Sequence, residues 1–241
     1  MGLDLTLAQA LADAADAISI ARFRASDLVV ETKPDLTPVT EADRAVETAV
    51  RELLARERPE DAILGEEHGA TGTARRRWIV DPIDGTRNYS RGIPVWATLL
   101  ALEEDGELRL GVVSAPALGH RWWAERGAGA FADGEPMRVS QVARVEDAVL
   151  CFALEQELPP LAHRCWHPRA YGDFWAHMLV AEGTVDGAID AIGVAVWDLA
   201  AVRPIVEEAG GTFTDRDGVA RIDGGSAVSS NGLLHTALLA G

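Results

Sequence analysis

Trp78-Ile79-Val80-Asp81-Pro82-Ile83-Asp84-Gly85-Thr86 is the stretch on which the reading of this chain turns. The apolar run Trp78 to Val80 has the length and β-branched content of a buried strand. Two acids then stand three residues apart around a proline that stiffens an exposed turn, so the carboxylates of Asp81 and Asp84 and the carbonyl of Ile83 can face one point. An all-oxygen donor set suits a hard cation such as Mg2+, which keeps positions open for water and a substrate phosphate. Gly85-Thr86 then opens a helical turn whose free N–H groups can meet a phosphate oxygen. On residue types alone, a second reading stays open, in which the two acids only cap and turn the chain. Upstream, Gly65-Glu66-Glu67-His68-Gly69 follows another strand pattern, Ala62 to Leu64, and adds carboxylates at a second strand end.

Working outward, Leu3 to Ile18 repeat apolar residues at helical spacing, which predicts a first helix ending near Arg24. A short strand over 27–31 follows, then an extended loop from Thr32 to Val39 held by two prolines. Thr40 reads as an N-cap with Asp43 in capping-box position, and Ala45 to Leu54 carry the apolar stripe of a second helix. The middle of the chain changes to short β-branched runs broken by Gly, Pro and Asp, with hairpin signals at Asp105-Gly106 and Asp133-Gly134. These predict an antiparallel sheet. Beyond Val142, strands (148–152, 185–189, 211–214, 226–229) alternate with helices (173–182, 198–209, 233–240). The expected organisation is an α+β fold in two lobes, an N-terminal one over 1–140 and a smaller α/β one over 141–241, sharing one interface without a linker or repeat.

Composition bounds what such a chain does. Its 241 residues, 48% hydrophobic and 25% charged, describe an ordinary globular protein with room for a large core. Acidic residues outnumber basic ones 38 to 22, a formal charge of -16, so the overall field repels nucleic acid and anionic membranes. An anionic substrate would therefore need a bound cation as intermediary. Cys151 and Cys165 are too few for a disulfide framework, no apolar run reaches the ~20 residues of a spanning helix, and no secretory leader is visible; the expected location is the cytoplasm. Lys33, on the proline-braced loop, is the only lysine.

The three motifs Gly65-Glu66-Glu67, Trp78 to Thr86 and Trp197-Asp198-Leu199-Ala200-Ala201, with Glu208-Ala209-Gly210-Gly211 after the last, resemble in order and spacing the inositol monophosphatase superfamily of Mg2+-dependent, lithium-sensitive phosphatases. The resemblance covers nearly the whole chain and implies a layered αβαβα sandwich. It implies one metal on Glu66, Asp81 and the Ile83 carbonyl, a second on Asp81, Asp84 and Asp198, and a third, weaker one on Glu66. Catalysis then falls to Glu66, Asp84 and Thr86, with water oriented by Glu66 and the Thr86 hydroxyl and the phosphate held by Gly85, Thr86 and Lys33. Thr86 as a plain N-cap and Lys33 as a solvated surface residue are the competing readings; Asp43 is read as a cap rather than a ligand.

Within the superfamily the chain most resembles the histidinol-phosphate phosphatase branch, through Thr32 to Thr40, Arg91 to Ala97, Arg169 to Phe174 and Gly225 to Gly232. Gly172-Asp173-Phe174 places a carboxylate where inositol phosphatases carry a small neutral run, which favours a cationic leaving group. Asp173 as a helix cap is the alternative. The superfamily's substrate-contacting glutamate falls at Ala191, so that Asp190 supplies the carboxylate after a local shift or the contact is missing. Arg169 and Asn231 are assigned to the pocket rim. His163, Cys165 and His167 fit no zinc spacing and read as a surface loop. A homodimer is implied, with Trp122, Trp123 and Trp175 as the apolar part of its interface. Inositol-1-monophosphatase is the nearest alternative activity; a non-catalytic binding factor for RNA-synthesis machinery ranks lower, because the acidic balance opposes RNA contact.

Overall fold

Leu5, Ala8, Leu11, Ala12 and Ala15 share the buried face of helix α1 (Leu3–Arg22). The computed structural model describes residues 2–34, 36–153, 159–191 and 193–241, and Asp35 of the proline-braced loop lies outside them. After α1, a two-stranded ribbon joins β1 (Val30–Thr32) to β2 (Pro38–Thr40). The strand expected over 27–31 therefore begins later, because the backbone turns through Ala25 and Leu28 before it can pair. Helix α2 (Glu41–Glu57) starts with the expected capping box: the Thr40 hydroxyl accepts from the Ala42 and Asp43 N–H groups, and Asp43 accepts the Thr40 N–H at 2.8 Å.

The middle of the chain forms β3 (Ala62–Gly65), β4 (Gly69–Thr71), β5 (Arg76–Asp84), helix α3 (Thr86–Ser90), β6 (Ala97–Glu104), β7 (Glu107–Ala115), β8 (His120–Glu125), β9 (Ala130–Ala132) and β10 (Glu135–Pro136). These strands make one sheet in the order β10-β9-β8-β7-β6-β5-β3-β4. Two-residue hairpins of the right-twisting kind need positive φ at both central residues, and Asp105 and Gly106 have φ 54° and 79°, Asp133 and Gly134 49° and 93°. The sheet departs from the expected antiparallel pattern at one place. Because β4 takes the edge beyond β3, the chain crosses back and enters β5 parallel to β3.

The last part comprises β11 (Val149–Phe152), β12 (His167–Arg169), α4 (Asp173–Ala181), β13 (Gly187–Asp190), α5 (Val196–Ala200), α6 (Val202–Glu208), β14 (Thr212–Thr214), β15 (Ala227–Ser230) and α7 (His235–Leu239). Its mixed sheet runs β12-β11-β13-β15-β14. His167 lies in the edge strand β12 rather than in a loop. The single helix expected over 198–209 is two helices meeting at Ala201, since Pro204 has no N–H to donate to the carbonyl one turn back and disfavours helical geometry before it.

Period-two alternation explains how the layers stack. On β5, Trp78 and Val80 face the core under α1 and α2, with Leu100, Leu102, Leu110 and Val112 from the neighbouring strands. Ile79, Leu99, Ala101 and Val113 face the other way, towards α4, α5 and α6. Those helices also cover one face of the second sheet, whose far face packs Leu150, Phe152 and Ile189 against Leu234 and Leu238 at α7. The layers are therefore α, β, α, β, α. The large sheet is drawn from 62–136 and the small one from 149–230, while one apolar cluster runs from Ile79 to Phe213 through both. Trp122 is 1% exposed and part of that cluster, which corrects its expected place at a subunit surface.

Candidate active site

The parallel pairing of β3 with β5 sets Gly65 opposite Val80, and the Glu66 N–H donates to the Val80 carbonyl at 3.2 Å. Glu66 and Asp81 thus leave adjacent strands side by side. Asp81 and Asp84 are not in an exposed turn, as the sequence suggests, but at the buried end of β5, 1% and 8% exposed. In a regular strand, residues three apart face opposite sides. The register to β6 shifts between Asp81 and Asp84, pairing them with Leu99 and Ala97, so one extra residue is accommodated on β5. That bulge turns Asp84 to the side of Asp81. Pro82, which cannot donate to a ladder, sits inside it, and its carbonyl accepts the Thr98 hydroxyl at 2.8 Å.

Asp198, in the first turn of α5, comes to the same point: ligand oxygens of Asp81, Asp84 and Asp198 all lie within 4.8 Å of one another. Asp198 is fixed by the Ala195 N–H, which donates to its Oδ2 at 2.6 Å. Burial pushes the Asp198 carboxyl up to about 6. Burial, joined by repulsion among the surrounding acids, holds Asp81 and Asp84 well above the ordinary carboxylate range. Asp81 Oδ1 is buried and has no hydrogen-bond partner. Such a cluster of oxygens, one of them orphaned, has the chemistry of a site for a hard divalent cation.

Thr86 is the first residue of α3, behind Gly85, which takes the N-cap position with φ 81°. The capping alternative for Thr86 therefore falls away. Its hydroxyl lies 3.1 Å from Asp43 Oδ1 and 2.9 Å from the Ile83 carbonyl. Asp43 is fully buried, and burial raises its carboxyl to about 6 despite the bonds it accepts from Thr40. Asp43 is thus more than the cap that the sequence favours: it also faces Thr86. Lys33 Nζ bonds Glu66 at 2.7 Å and Glu67 at 2.6 Å, so it is not a solvated surface lysine. Burial lowers its affinity for a proton, and the two carboxylates more than restore it.

A cavity of about 610 Å3 opens over these groups, lined among others by Glu66, Asp81, Asp84, Gly85, Thr86 and Asp198. Gly172, Asp173 and Asp190 belong to its wall, and Ala191 stands beside Asp190 there. At the start of α4 the Phe174 N–H donates to Asp84 Oδ2 at 2.7 Å, and Asp173 sits at φ 54°. A non-glycine residue in the left-handed region at a cavity wall is held there by its surroundings.

Two expected rim residues lie elsewhere. Arg169, on β12, is not among the lining residues. Asn231 is 4% exposed, its amide donating to the Ser140 hydroxyl and Val142 carbonyl and its oxygen accepting from the Leu233 and Leu234 N–H groups. Both polar atoms of its side chain go to tying the start of α7 to the segment after β10. The rest of the wall was missed, including Thr37, Asn88, Phe152, Val194, Trp197 and Arg216. These come from separate elements and loops with no shared local signal, apart from Trp197 beside Asp198.

The Inositol monophosphatase family pattern matches residues 4–240. The chain belongs to that family. It is 55% identical to a histidinol-phosphatase of Mycobacterium tuberculosis, over 98% of this chain and 96% of that one. To a histidinol-phosphatase of Streptomyces coelicolor it is 50% identical, over 98% and 95%. The crystal structure of the extragenic suppressor protein suhB from Bartonella henselae superposes with a TM-score of 0.92 at 29% identity, covering 99% of this chain and 98% of that one. The fold is thus the family's layered sandwich. No described helix is long and apolar enough to cross a membrane.

Proposed function

We propose that the chain is a Mg2+-dependent phosphate monoester hydrolase that converts histidinol phosphate and water to histidinol and phosphate. The metal reading is carried by the buried orphan Oδ1 of Asp81 among clustered acids. Glu66, Asp81 and the Ile83 carbonyl would hold one ion, Asp81, Asp84 and Asp198 a second, and Glu66 a weaker third. When bound, Mg2+ supplies charge neutralisation of the phosphate and acidification of water.

The protein's own groups do the rest. Thr86 faces the cavity with its hydroxyl 3.1 Å from Asp43 Oδ1 and 2.9 Å from the Ile83 carbonyl; when its one proton turns to Asp43, an oxygen lone pair is left to accept a proton from an attacking water. As water gives up a proton to Thr86, Thr86 passes its own to Asp43, whose raised pKa suits a base working near neutrality. The water oxygen bonds to phosphorus, the ester P–O bond breaks, and the departing oxygen takes a proton from solvent water to leave as the alcohol. Gly85 and Thr86 offer backbone N–H groups to the phosphate, while Lys33 keeps Glu66 oriented.

Substrate choice rests on two carboxylates in the wall that the metal reading does not use. Asp173 and Asp190 suit the ammonium and titratable imidazole of histidinol phosphate better than the neutral ring of inositol. The histidinol-phosphatases at 55% and 50% identity support the same choice. We also read the protein as a cytoplasmic homodimer, which light scattering at micromolar concentration tests. The deciding experiment measures phosphate release with Mg2+ from histidinol phosphate, inositol-1-phosphate, fructose bisphosphate and adenosine bisphosphate. A kcat/KM for histidinol phosphate at least about tenfold above the others is expected. A preference for inositol-1-phosphate would replace this reading with inositol-1-monophosphatase.

A further inference from the structure

Glu47 lies one helical turn after Asp43 on α2 and is fully buried. Nothing in the chemistry above uses it, yet a buried carboxylate needs partners. Its Oε2 accepts the Glu67 N–H at 2.7 Å, and its Oε1 accepts the His68 N–H at 3.2 Å and Arg51 Nε at 2.7 Å. Arg51 in turn reaches the Gly69 carbonyl and, at 2.9 Å, the Thr71 hydroxyl. One carboxylate and one guanidinium therefore grip the loop from Glu66 to Gly69 at successive backbone atoms. The fit is close: a Cβ at Gly65 would overlap the Glu47 carboxylate. Glycine is required there by close approach, not by a left-handed φ.

We propose that Glu47 is a positioning residue for Glu66. By holding the amides of Glu67 and His68, it fixes the backbone that directs the Glu66 carboxylate to the cation site. The same face of α2 carries Asp43, so one helix sets both Thr86 and Glu66. This inference rests on the reading of Glu66 as a metal ligand, and the test keeps the two apart.

Glu47→Gln keeps the volume but turns an NH2 group towards one of the two loop amides. Calorimetric titration with Mg2+ in the absence of substrate should show binding weakened roughly ten- to a hundred-fold. The Mg2+ concentration for half-maximal activity should rise in step, while KM for histidinol phosphate at saturating Mg2+ stays within about twofold. Gly65→Ala, which pushes on the same contact from the loop side, should reproduce the shift. Asp61→Asn is the structural control: Asp61 accepts from Trp78 Nε1 at 3.0 Å and from Arg76 Nε at 3.1 Å, away from the loop. It should lower the melting temperature and leave Mg2+ affinity unchanged. If Glu47→Gln does not fold, Arg51→Met removes the outer half of the grip and should weaken Mg2+ binding several-fold. Unchanged Mg2+ affinity in the Glu47 and Arg51 variants, with Glu66→Gln weakened, overturns the proposal. Unchanged affinity in Glu66→Gln as well overturns the ligand reading beneath it.

Discussion

Replacing Asp81 by Asn should make the metal-free protein more stable and the enzyme inactive. Oxygens of Asp81, Asp84 and Asp198 lie within 4.8 Å of one another, in a region where Asp81 is 1% exposed. Two unit charges at that spacing and an effective dielectric near 20 repel by about 3 kcal/mol. Protonation relieves part of this, since the raised pKa values mean that the cluster is seldom fully charged without a cation. Removing one charge while keeping the shape should therefore recover about 1–3 kcal/mol. For a chain of this length that is a rise in Tm of roughly 2–10 °C, read by thermal melts in EDTA. With Mg2+ at about a hundred times its Kd, the wild type gains about 2.7 kcal/mol, a gain the variant forgoes, so the order of stability closes or reverses. Turnover should be lost at any Mg2+ concentration, because Asp81 is shared by both proposed sites. A variant that melts below the wild type in EDTA would show that Asp81 is a structural acceptor and refute the reasoning; retained activity would refute the metal assignment.

Asp173→Asn tolerates the same left-handed backbone and removes only the charge, so kcat/KM for histidinol phosphate should fall roughly ten- to a hundred-fold while a neutral ester such as glycerol phosphate changes far less. Equal losses on both substrates would make Asp173 structural. His177, buried with its Nδ1 2.7 Å from the Ser229 hydroxyl, is pushed by burial down to about 4 from 6.5. Below pH 6.5 the unfolded chain takes up a proton that the folded one refuses, so about 3 kcal/mol of stability is lost as pH falls from 6.5 towards 4. Urea melts at several pH values should show the gap between wild type and His177→Gln narrowing over that window; parallel curves would count against it. Gly111 faces the α5–α6 junction, where a Cβ would overlap the Ala201 carbonyl, and Gly111→Ala should cost about 1–3 kcal/mol, or several degrees in Tm. An unchanged melt would mean that β7 and the junction separate at no cost.

What could be read from the sequence divides by how local its cause is. The Thr40–Asp43 capping box and the hairpins at Asp105-Gly106 and Asp133-Gly134 are set by neighbours a few residues apart, and each is found in place. The partnership of Asp43 with Thr86 was hidden, because its residues are 43 apart and the capping box already accounted for the carboxylate. Asn231 misleads for the opposite reason: a polar residue beside Gly232 looks free for a ligand, but the fold uses both polar atoms of its side chain.

The instructive departure is Asp81 to Asp84. Proline between two acids, with glycine after them, gives the same local signal for a turn and for a bulge in a strand. A turn would leave both carboxylates in water, with ordinary pKa values and little reason to need a cation. The bulge keeps them in the sheet, turns both to one side and buries them against Asp198. The choice is made by distant parts of the chain: β6 extends far enough to pair with Asp81 and Asp84, and the Thr98 hydroxyl satisfies the Pro82 carbonyl. The residue types thus identify the cation chemistry, but the strength of the demand for a cation comes from burial that only the assembled sheet imposes. The site therefore trades stability of the empty protein for affinity towards its metal, an exchange that Asp81→Asn should reverse.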